Sequence, residues 1–363
     1  KGGKTMLQLS QGEFTKDRPS KTPLRWKVPV VAQVAGGARV DTVVDGGKGT
    51  LEVPGCGAVV VNAGQAGYYR TLYGAQQFAA LGKDFAKLDA IDQLGIMNDT
   101  WALGMAGLRP ASDYLDLAKR VPADADPAIW ADIAGSLGSI NAYLKGNDAA
   151  QARFQAYARG VLQPVFAKIG WNAKAGDSAP VQLLRTTLIG TLSGLEDAAI
   201  IAEARRRFAA GPGDANAMPP ALRSLITAIV ANKADAATWD AVHAMAKAEK
   251  TPLIKDQLYG LLGIAEDKAL AQRALALALT DEPGATNSGG MIASVAGEHP
   301  DLAFDFAVAH RAEVEKLIDA SSQARYYPGI GGGSSDRAMI GKLRAFADTT
   351  LRKIYEDRLH HQA

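Results

Sequence analysis

A single cysteine, Cys56, stands in the 363-residue sequence. That excludes an internal disulfide framework and any cysteine-rich metal site, and the plain expectation for Cys56 is a small buried apolar side chain. Histidine is scarce as well: His243, His299, His310, His360 and His361 complete the set, and no two stand as His-Glu-x-x-His. That spacing would place two imidazoles on one helix face, so no metal is expected in this chain. Neither charge is in excess, with 40 basic and 38 acidic residues. The footprint that phosphate backbones and anionic lipids select is therefore missing, and nucleic acid is not an expected partner. No apolar run approaches the roughly 20 residues that cross a bilayer, and the opening Lys1-Gly2-Gly3-Lys4 has no apolar signal-peptide region. A soluble chain without a membrane segment is expected, with a bacterial-type cytoplasm or periplasm both open. β-type sequence begins by Met6 with no leader, so a preceding segment in the full gene product is expected. Gly-x-Ser-x-Gly is absent, and Cys56 and His299 are isolated, so nothing supports a catalytic nucleophile.

What the chain does have is enough apolar content, 47%, to build proper cores. Its first sixty or so residues read as short strands. Met6–Ser10 and Leu24–Val28 alternate apolar and polar residues. Pro29 cannot donate to a ladder, which places it at an edge or at the start of a strand over Val30–Val34. Arg39–Val44 and Gly49–Val53 flank Asp45-Gly46-Gly47, the chemistry of a tight hairpin turn. Ala58–Asn62 is apolar on both faces and is expected to sit centrally. After Gly64 the texture changes to alanine- and leucine-rich helical periodicity, giving a partial β-sandwich over 1–64 and a helical domain over 65–363.

Within the helical part, Leu222, Leu225, Ile226, Ile229 and Val230 share one helix face behind Pro219 and Pro220. Thr251 and Pro252 read as an N-cap and a first-turn proline ahead of Ile254, Leu258, Leu261 and Leu262, and Asp267 opens a helix carrying Leu270, Ala274 and Leu275. Connections this short force neighbouring helices antiparallel. The starts near Pro220 and Pro252 are spaced as α-solenoid repeats are, so the fold class is mainly α: helical hairpins in a curved HEAT-like α-solenoid behind a small antiparallel β-sandwich.

Several residues stand out chemically. Asp92 and Asp99 fall on the same side of a helix over Ile91–Leu103, as an acid-base pair would or, more plainly, as caps and ion pairs. Arg185 sits in the apolar run Val181–Ile189 and needs a carboxylate, either an internal one or that of a bound peptide. Tyr327–Asp336 reads as a glycine-rich loop introduced by Arg325 and Tyr326. It lacks the preceding strand and the Gly-Lys-Ser/Thr of a phosphate loop, which leaves a connector or part of a binding surface.

Read together, several stretches resemble one family, the zinc aminopeptidases that include aminopeptidase N and the puromycin-sensitive aminopeptidase. Asn62 followed by Gly67-Tyr68-Tyr69-Arg70-Thr71-Leu72-Tyr73 resembles the Asn-x-x-x-x-Gly-Tyr-Tyr-Arg-Val-x-Tyr signature at the family's sheet–helix junction. Asp92-Gln93-Leu94-Gly95-Ile96-Met97-Asn98-Asp99 resembles its Asp-Arg-x-x-Leu-x-x-Asp helix, with Gln93 in place of arginine and Ile96 in place of leucine. Leu162–Trp171, Leu183-Leu184-Arg185 and Glu203–Phe208 are similar to its mid-domain pattern, and Gln11–Phe14 and Trp26–Pro29 to elements of its third domain.

The resemblance implies a four-domain parent. Its N-terminal catalytic domains would be this chain's partner and would hold the zinc, with no cofactor in this chain. None of the zinc-binding or Gly-x-Met-Glu-Asn motifs occurs here, and this part is implied to close the substrate cavity and limit access of peptide substrates. From chemistry alone, Arg185, Arg325, Tyr326 and Tyr327 are the candidates to face substrate, while Tyr69 and Arg70 match the signature and read as structural. Catalytic and metal-ligating residues are expected to be none. A free-standing helical scaffold for protein partners is the alternative, and a complete hydrolase with an unrecognised site is a third reading.

Overall fold

The computed structural model describes residues 3–15, 22, 24–211 and 213–360. The chain divides into two compact units, Lys1–Ile140 with Phe154–Thr191, and Asn141–Arg153 with Leu192–Ala363. Among the described residues no helix is long and apolar enough to cross a membrane.

The first unit opens with five strands: β1 (Lys4–Ser10), β2 (Val28–Val34), β3 (Val40–Val44), β4 (Lys48–Pro54) and β5 (Val59–Val61). β1 and β4 form one antiparallel pair, and β3-β2-β5 form a second antiparallel sheet. Leu7, Leu51 and Val53 from the first sheet meet Ala32, Val34 and Val59 from the second. Each such buried side chain contributes about 1.5–3 kcal/mol, so this core is small.

The reading of this region needs correction at several points. Leu24–Lys27 is not a strand, because the Gln11 amide takes both backbone groups of Trp26: Trp26 N–H donates to Oε1 and Nε2 donates to the Trp26 carbonyl, each at 2.8 Å. Strand β2 then starts at Val28 and runs through Pro29. β5 pairs only with Ala32–Val34, so the ladder is open on that side at Pro29 and no donor is missed. Gly46 and Gly47 do adopt positive φ, 72° and 90°, yet the turn carries the chain from one sheet to the other and is not a hairpin. β5, expected centrally, is last in its sheet and is buried by other means described below. Cys56, flanked by Gly55 and Gly57 at positive φ in a surface turn, is exposed, not buried.

Six helices complete this part of the chain: α1 (Ala75–Asp84), α2 (Ala90–Met105), α3 (Ala111–Ala118), α4 (Pro127–Tyr143), α5 (Asp148–Ile169) and α6 (Ala179–Gly194). The rest comprises α7 (Ala198–Ala210), α8 (Pro220–Asn232), α9 (Ala236–Ala248), α10 (Pro252–Leu262), α11 (Lys268–Ala278), α12 (Ala285–Glu298), α13 (Pro300–Ala309), α14 (Arg311–Val314), α15 (Ala320–Gly331) and α16 (Ala338–His360). In the second unit consecutive helices pair, α9 with α10 and α11 with α12, alternate helices α8, α10 and α12 stack, and α15 packs on α12 and α13. Helical hairpins follow from the sequence pattern.

Asp197, Asp235 and Asp267 each accept N–H groups at the start of α7, α9 and α11, at 2.8–3.1 Å. Thr251 holds the N-cap position of α10 without capping it; Glu249 instead accepts the N–H groups of Lys250 and Thr251. Leu222, Ile226, Ile229, Val230, Leu258, Leu262, Leu270 and Leu275 are buried as their spacing predicts, whereas Ile254 in the first turn of α10 is 43% exposed. The glycine-rich stretch is corrected too, since α15 continues through Pro328 to Gly331. Packing overrides propensity there: Tyr327, Ile330 and Gly331 are buried, and a Cβ on Gly331 would approach Met339, Leu343 and Phe304 to within 3.0–3.1 Å. Asp336 then caps α16 by accepting Ala338 N–H at 2.9 Å.

Candidate functional site

The sheet–helix junction of the first unit is where chemistry-bearing side chains converge. It begins with a sharply bent loop in which Asn62, Gly64 and Gln65 all have positive φ, at 63°, 80° and 56°. Two of these are not glycine, so the bend has to be held by other contacts. The Asn62 amide clamps Gly67 from both sides, Nδ2 donating to its carbonyl at 2.9 Å and Oδ1 accepting its N–H at 2.8 Å. Gly67 must be glycine, because a Cβ there would lie 2.3 Å from the Tyr69 ring. Gln65 donates back to the Asn62 carbonyl at 3.1 Å and lies across α2 where a Cβ on Gly95 would fall, 2.0 Å from its Cδ.

From Gly67 to Gly74 the chain bends and then runs without regular structure, with Tyr68 and Leu72 exposed and Tyr69, Thr71 and Tyr73 half-buried. Helix α2 presents its two carboxylates to this segment. Asp92 accepts Gly64 N–H at 2.7 Å, and Asp99 accepts Thr71 N–H at 2.9 Å and the Arg70 guanidinium at 3.1 Å. Both acids are buried, at 1% and 6% exposure. Burial pushes the Asp99 carboxyl above its ordinary range, and the opposing pull of Thr71 and Arg70 does not overcome it. The pair expected as an acid-base couple or as caps and ion pairs is a two-point clasp on backbone N–H groups, with Asp99 also ion-paired to Arg70. Gln93, in the arginine position, donates to the Phe85 carbonyl at 2.8 Å.

Tyr73 carries the role that the sequence reading missed. Its hydroxyl accepts Val61 N–H at 2.9 Å and donates to the Val61 carbonyl at 3.2 Å, taking the place of a neighbouring strand on the free edge of β5. Arg109 secures it by donating to the Tyr73 carbonyl and to Asp113, with its guanidinium 3.9 Å from the Phe78 ring centre. The period-2 spacing of Tyr69, Thr71 and Tyr73 was the available signal. Tyr69 and Arg70 both lie in this junction. The Tyr69 phenol is pushed up to about 12, chiefly by burial. Two buried polar atoms at the junction, Thr71 Oγ1 and Asp92 Oδ2, meet no protein hydrogen-bond partner.

The other candidate residues lie elsewhere. Arg185 on α6 is buried at 3% exposure, with Nη2 on Asp177 and Nε donating to the Gly170 carbonyl at 3.1 Å. Asp177 is held below the usual carboxylate range by the Lys174 N–H and by Arg185. In the second unit, Arg325, Tyr326 and Tyr327 are consecutive on α15, and the two tyrosine rings meet edge to face with centres 5.7 Å apart. Arg325 is exposed, the Tyr326 hydroxyl donates to the Gly289 carbonyl at 2.7 Å, and Tyr327 is buried against Phe346 with ring centres 4.5 Å apart. His299 is bound to the Ala265 carbonyl at 3.0 Å. Among the described residues no three of His, Cys, Asp and Glu are grouped to hold a metal ion. The described residues do not fit a zinc ion.

Against known proteins, residues 58–363 match the family described as the ERAP1-like C-terminal domain. The chain belongs to that family. The match begins at β5 and takes in the whole junction and every helix. This ERAP1-like domain is similar to Aminopeptidase 2 of Candida albicans, 30% identical over 187 residues that cover 50% of the chain and 20% of that protein. It is also similar to Aminopeptidase M1 of Arabidopsis thaliana, 27% identical over 235 residues, 62% of the chain and 27% of that protein. With Aminopeptidase M1-D of Oryza sativa the identity is 24% over 273 residues, 73% of the chain and 31% of that protein. The chain therefore spans about a fifth to a third of the curated relatives it matches. The resemblance read in the sequence holds at this level: residues 58–363 match an ERAP1-like C-terminal domain, and the relatives to which the chain is similar carry the name aminopeptidase.

Proposed function

We propose that this chain is the C-terminal portion of a zinc-dependent aminopeptidase that removes N-terminal residues from peptides. In this reading it closes the substrate cavity and limits which peptides reach a zinc site held by catalytic domains outside this chain. The match of residues 58–363 to the ERAP1-like C-terminal domain carries the reading. A sandwich over 1–64 and a helical domain over 65–363, joined at the clasp, form the proposed domain division. Of the four substrate-facing candidates, Arg325 has its guanidinium exposed and is assigned the carboxylate of a long peptide. Tyr326 and Tyr327 are assigned the frame beside Arg325 on α15, and Arg185 is assigned a substrate-facing role on α6 of its own unit.

The test uses the full-length parent and a ladder of peptide lengths. Arg325→Ala is expected to raise KM several-fold for peptides of about ten residues and to leave aminoacyl-anilide turnover unchanged. The 363-residue chain by itself is expected to bind no stoichiometric zinc and to release no amino acid. Chelator-sensitive activity from it would overturn the reading, as would a parent reading frame without His-Glu-x-x-His.

A further inference from the structure

The segment that leaves the sheet–helix junction carries a row of outward side chains opposite the row that anchors it. Between Gly67 and Gly74 exposure alternates, with Tyr68, Arg70 and Leu72 on the open side. Tyr68 is 109% exposed, as open as in an extended peptide, and Leu72 is 53% exposed. Arg70 gives Nη1 to Asp99 at 3.1 Å, yet its side chain stays 42% exposed. Arg39, also exposed, lies at the start of this row. Its Nε donates to Gln33 Oε1 at 3.3 Å, and its guanidinium lies against Gly64, where a Cβ would meet Nη1 at 2.9 Å. No carboxylate pairs with Arg39 among the described residues.

This strip is held more firmly than a connecting loop needs. Asn62 clamps Gly67, Asp92 takes Gly64 N–H, Asp99 takes Thr71 N–H, and the Tyr73 hydroxyl occupies Val61, while Asn62 and Gln65 hold positive φ at the bend. Backbone strain persists only where the surroundings over-determine it, and it clusters at recognition elements. Side chains presented from such a strip are preorganised, so little ordering entropy is lost when a partner covers them. Tyrosine and arginine are also the residues that most often carry binding energy at the centre of an interface. Within this chain, by contrast, a polar side chain at 68 or 72 would serve as well, because both point into water.

Length and charge identify what covers the strip. The chain spans about a fifth to a third of the relatives it matches, so most of each relative lies outside it, and the family match takes in residues 62–73 whole. We propose that Tyr68, Leu72, Arg39 and Arg70 are the docking surface for the portion of the parent protein that lies outside this chain. The face that meets them offers an apolar pocket to Tyr68 and Leu72 and carboxylates to the two guanidiniums. This surface rests on the reading of the chain as one portion of a longer aminopeptidase. Because Asp99 holds both Arg70 and Thr71, a load on the strip is passed straight to α2.

Hydroxyl-radical footprinting of the full-length parent against the 363-residue chain tests the surface. Tyr68 and Leu72 are expected to be oxidised about tenfold more slowly in the parent. The double variant Tyr68→Ala with Leu72→Ala is expected to leave the urea midpoint of the 363-residue chain unchanged and to lower that of the parent. Arg39→Glu should act in the same direction on the parent, more at low than at high salt. Equal oxidation of Tyr68 in chain and parent would overturn the proposal. Protection that appears in the chain alone and deepens with its concentration would overturn it in favour of a second copy. Protection in the parent that appears only when a long peptide is added would overturn it in favour of substrate. A parent with chelator-sensitive aminopeptidase activity and an unprotected Tyr68 sinks the docking surface alone, whereas a protected Tyr68 in a parent without His-Glu-x-x-His supports the surface and sinks the functional reading.

Discussion

At the sheet–helix junction of the first unit, Asp92 and Asp99 of one helix take the N–H groups of a loop 28 residues earlier in the chain. In the second unit, Asp197, Asp235 and Asp267 take N–H groups two or three residues ahead of themselves. The chemistry is the same, a carboxylate accepting backbone donors, but the reach differs by an order of magnitude. A local cap stabilises the helix it begins and little else. The long-range clasp fixes where a helix lies against a sheet, so its loss should propagate further.

Asp99→Ala tests that difference most severely, since it leaves the Thr71 N–H and the Arg70 guanidinium without their acceptor; a loss of about 3 kcal/mol is expected in urea unfolding. Asp99→Asn, which keeps an acceptor, should lose less than half of that, and equal losses would mean that charge and not acceptance is what matters. Gly263→Ala probes close packing in the second unit, where the added Cβ would lie 2.8 Å from the Met291 carbonyl oxygen and 3.1 Å from Val295 N. Rigid backbone stands there, and about 2 kcal/mol of destabilisation is expected. Tyr73→Phe removes one hydroxyl from two backbone groups of β5 and should cost about 1.5 kcal/mol by the same measurement.

Asp235→Ala and Asp267→Ala should each cost about 1 kcal/mol and add in the double variant; strong non-additivity would show that caps in successive pairs are coupled. The smallest effects carry opposite signs in the two units. The folded value of Asp99 is raised above its ordinary 3.8, so its contribution is present below that pH and fades as pH rises through the raised value. Glu203, beside Arg206 and Arg207, is lowered from 4.5 to about 2, so its contribution is present above 4.5 and is lost as pH falls toward 2. Urea midpoints of Asp99→Asn and Glu203→Gln against wild type between pH 2.5 and 6 should therefore diverge in opposite directions.

The same contrast in reach explains what the sequence disclosed. Periodic leucines and the aspartate before α11 are local signals, and the helices they predict are present. The strand at Leu24–Val28 misled because its alternation is real while its backbone groups are taken by Gln11, far away in sequence. Tyr327–Asp336 misled because its glycines were read as a loop, whereas Gly331 is small in order to let Phe304, Met339 and Leu343 close in. At the junction, Asn62 and Gly67 were visible as part of a signature, but the reason for their spacing, each clamping the other, required the fold. Arg185 was correctly seen to need a carboxylate; Asp177, eight residues earlier, supplies it.

Tyr73 has a last consequence for the chain among other chains. An open strand edge invites any extended polypeptide to add to it. On β5 such an intruder would first have to displace the phenol that occupies Val61, and that phenol is anchored through Arg109 to the helices beyond. The edge is plugged by the segment that leaves it, so the sheet stays guarded against aggregation for as long as its own exit remains folded.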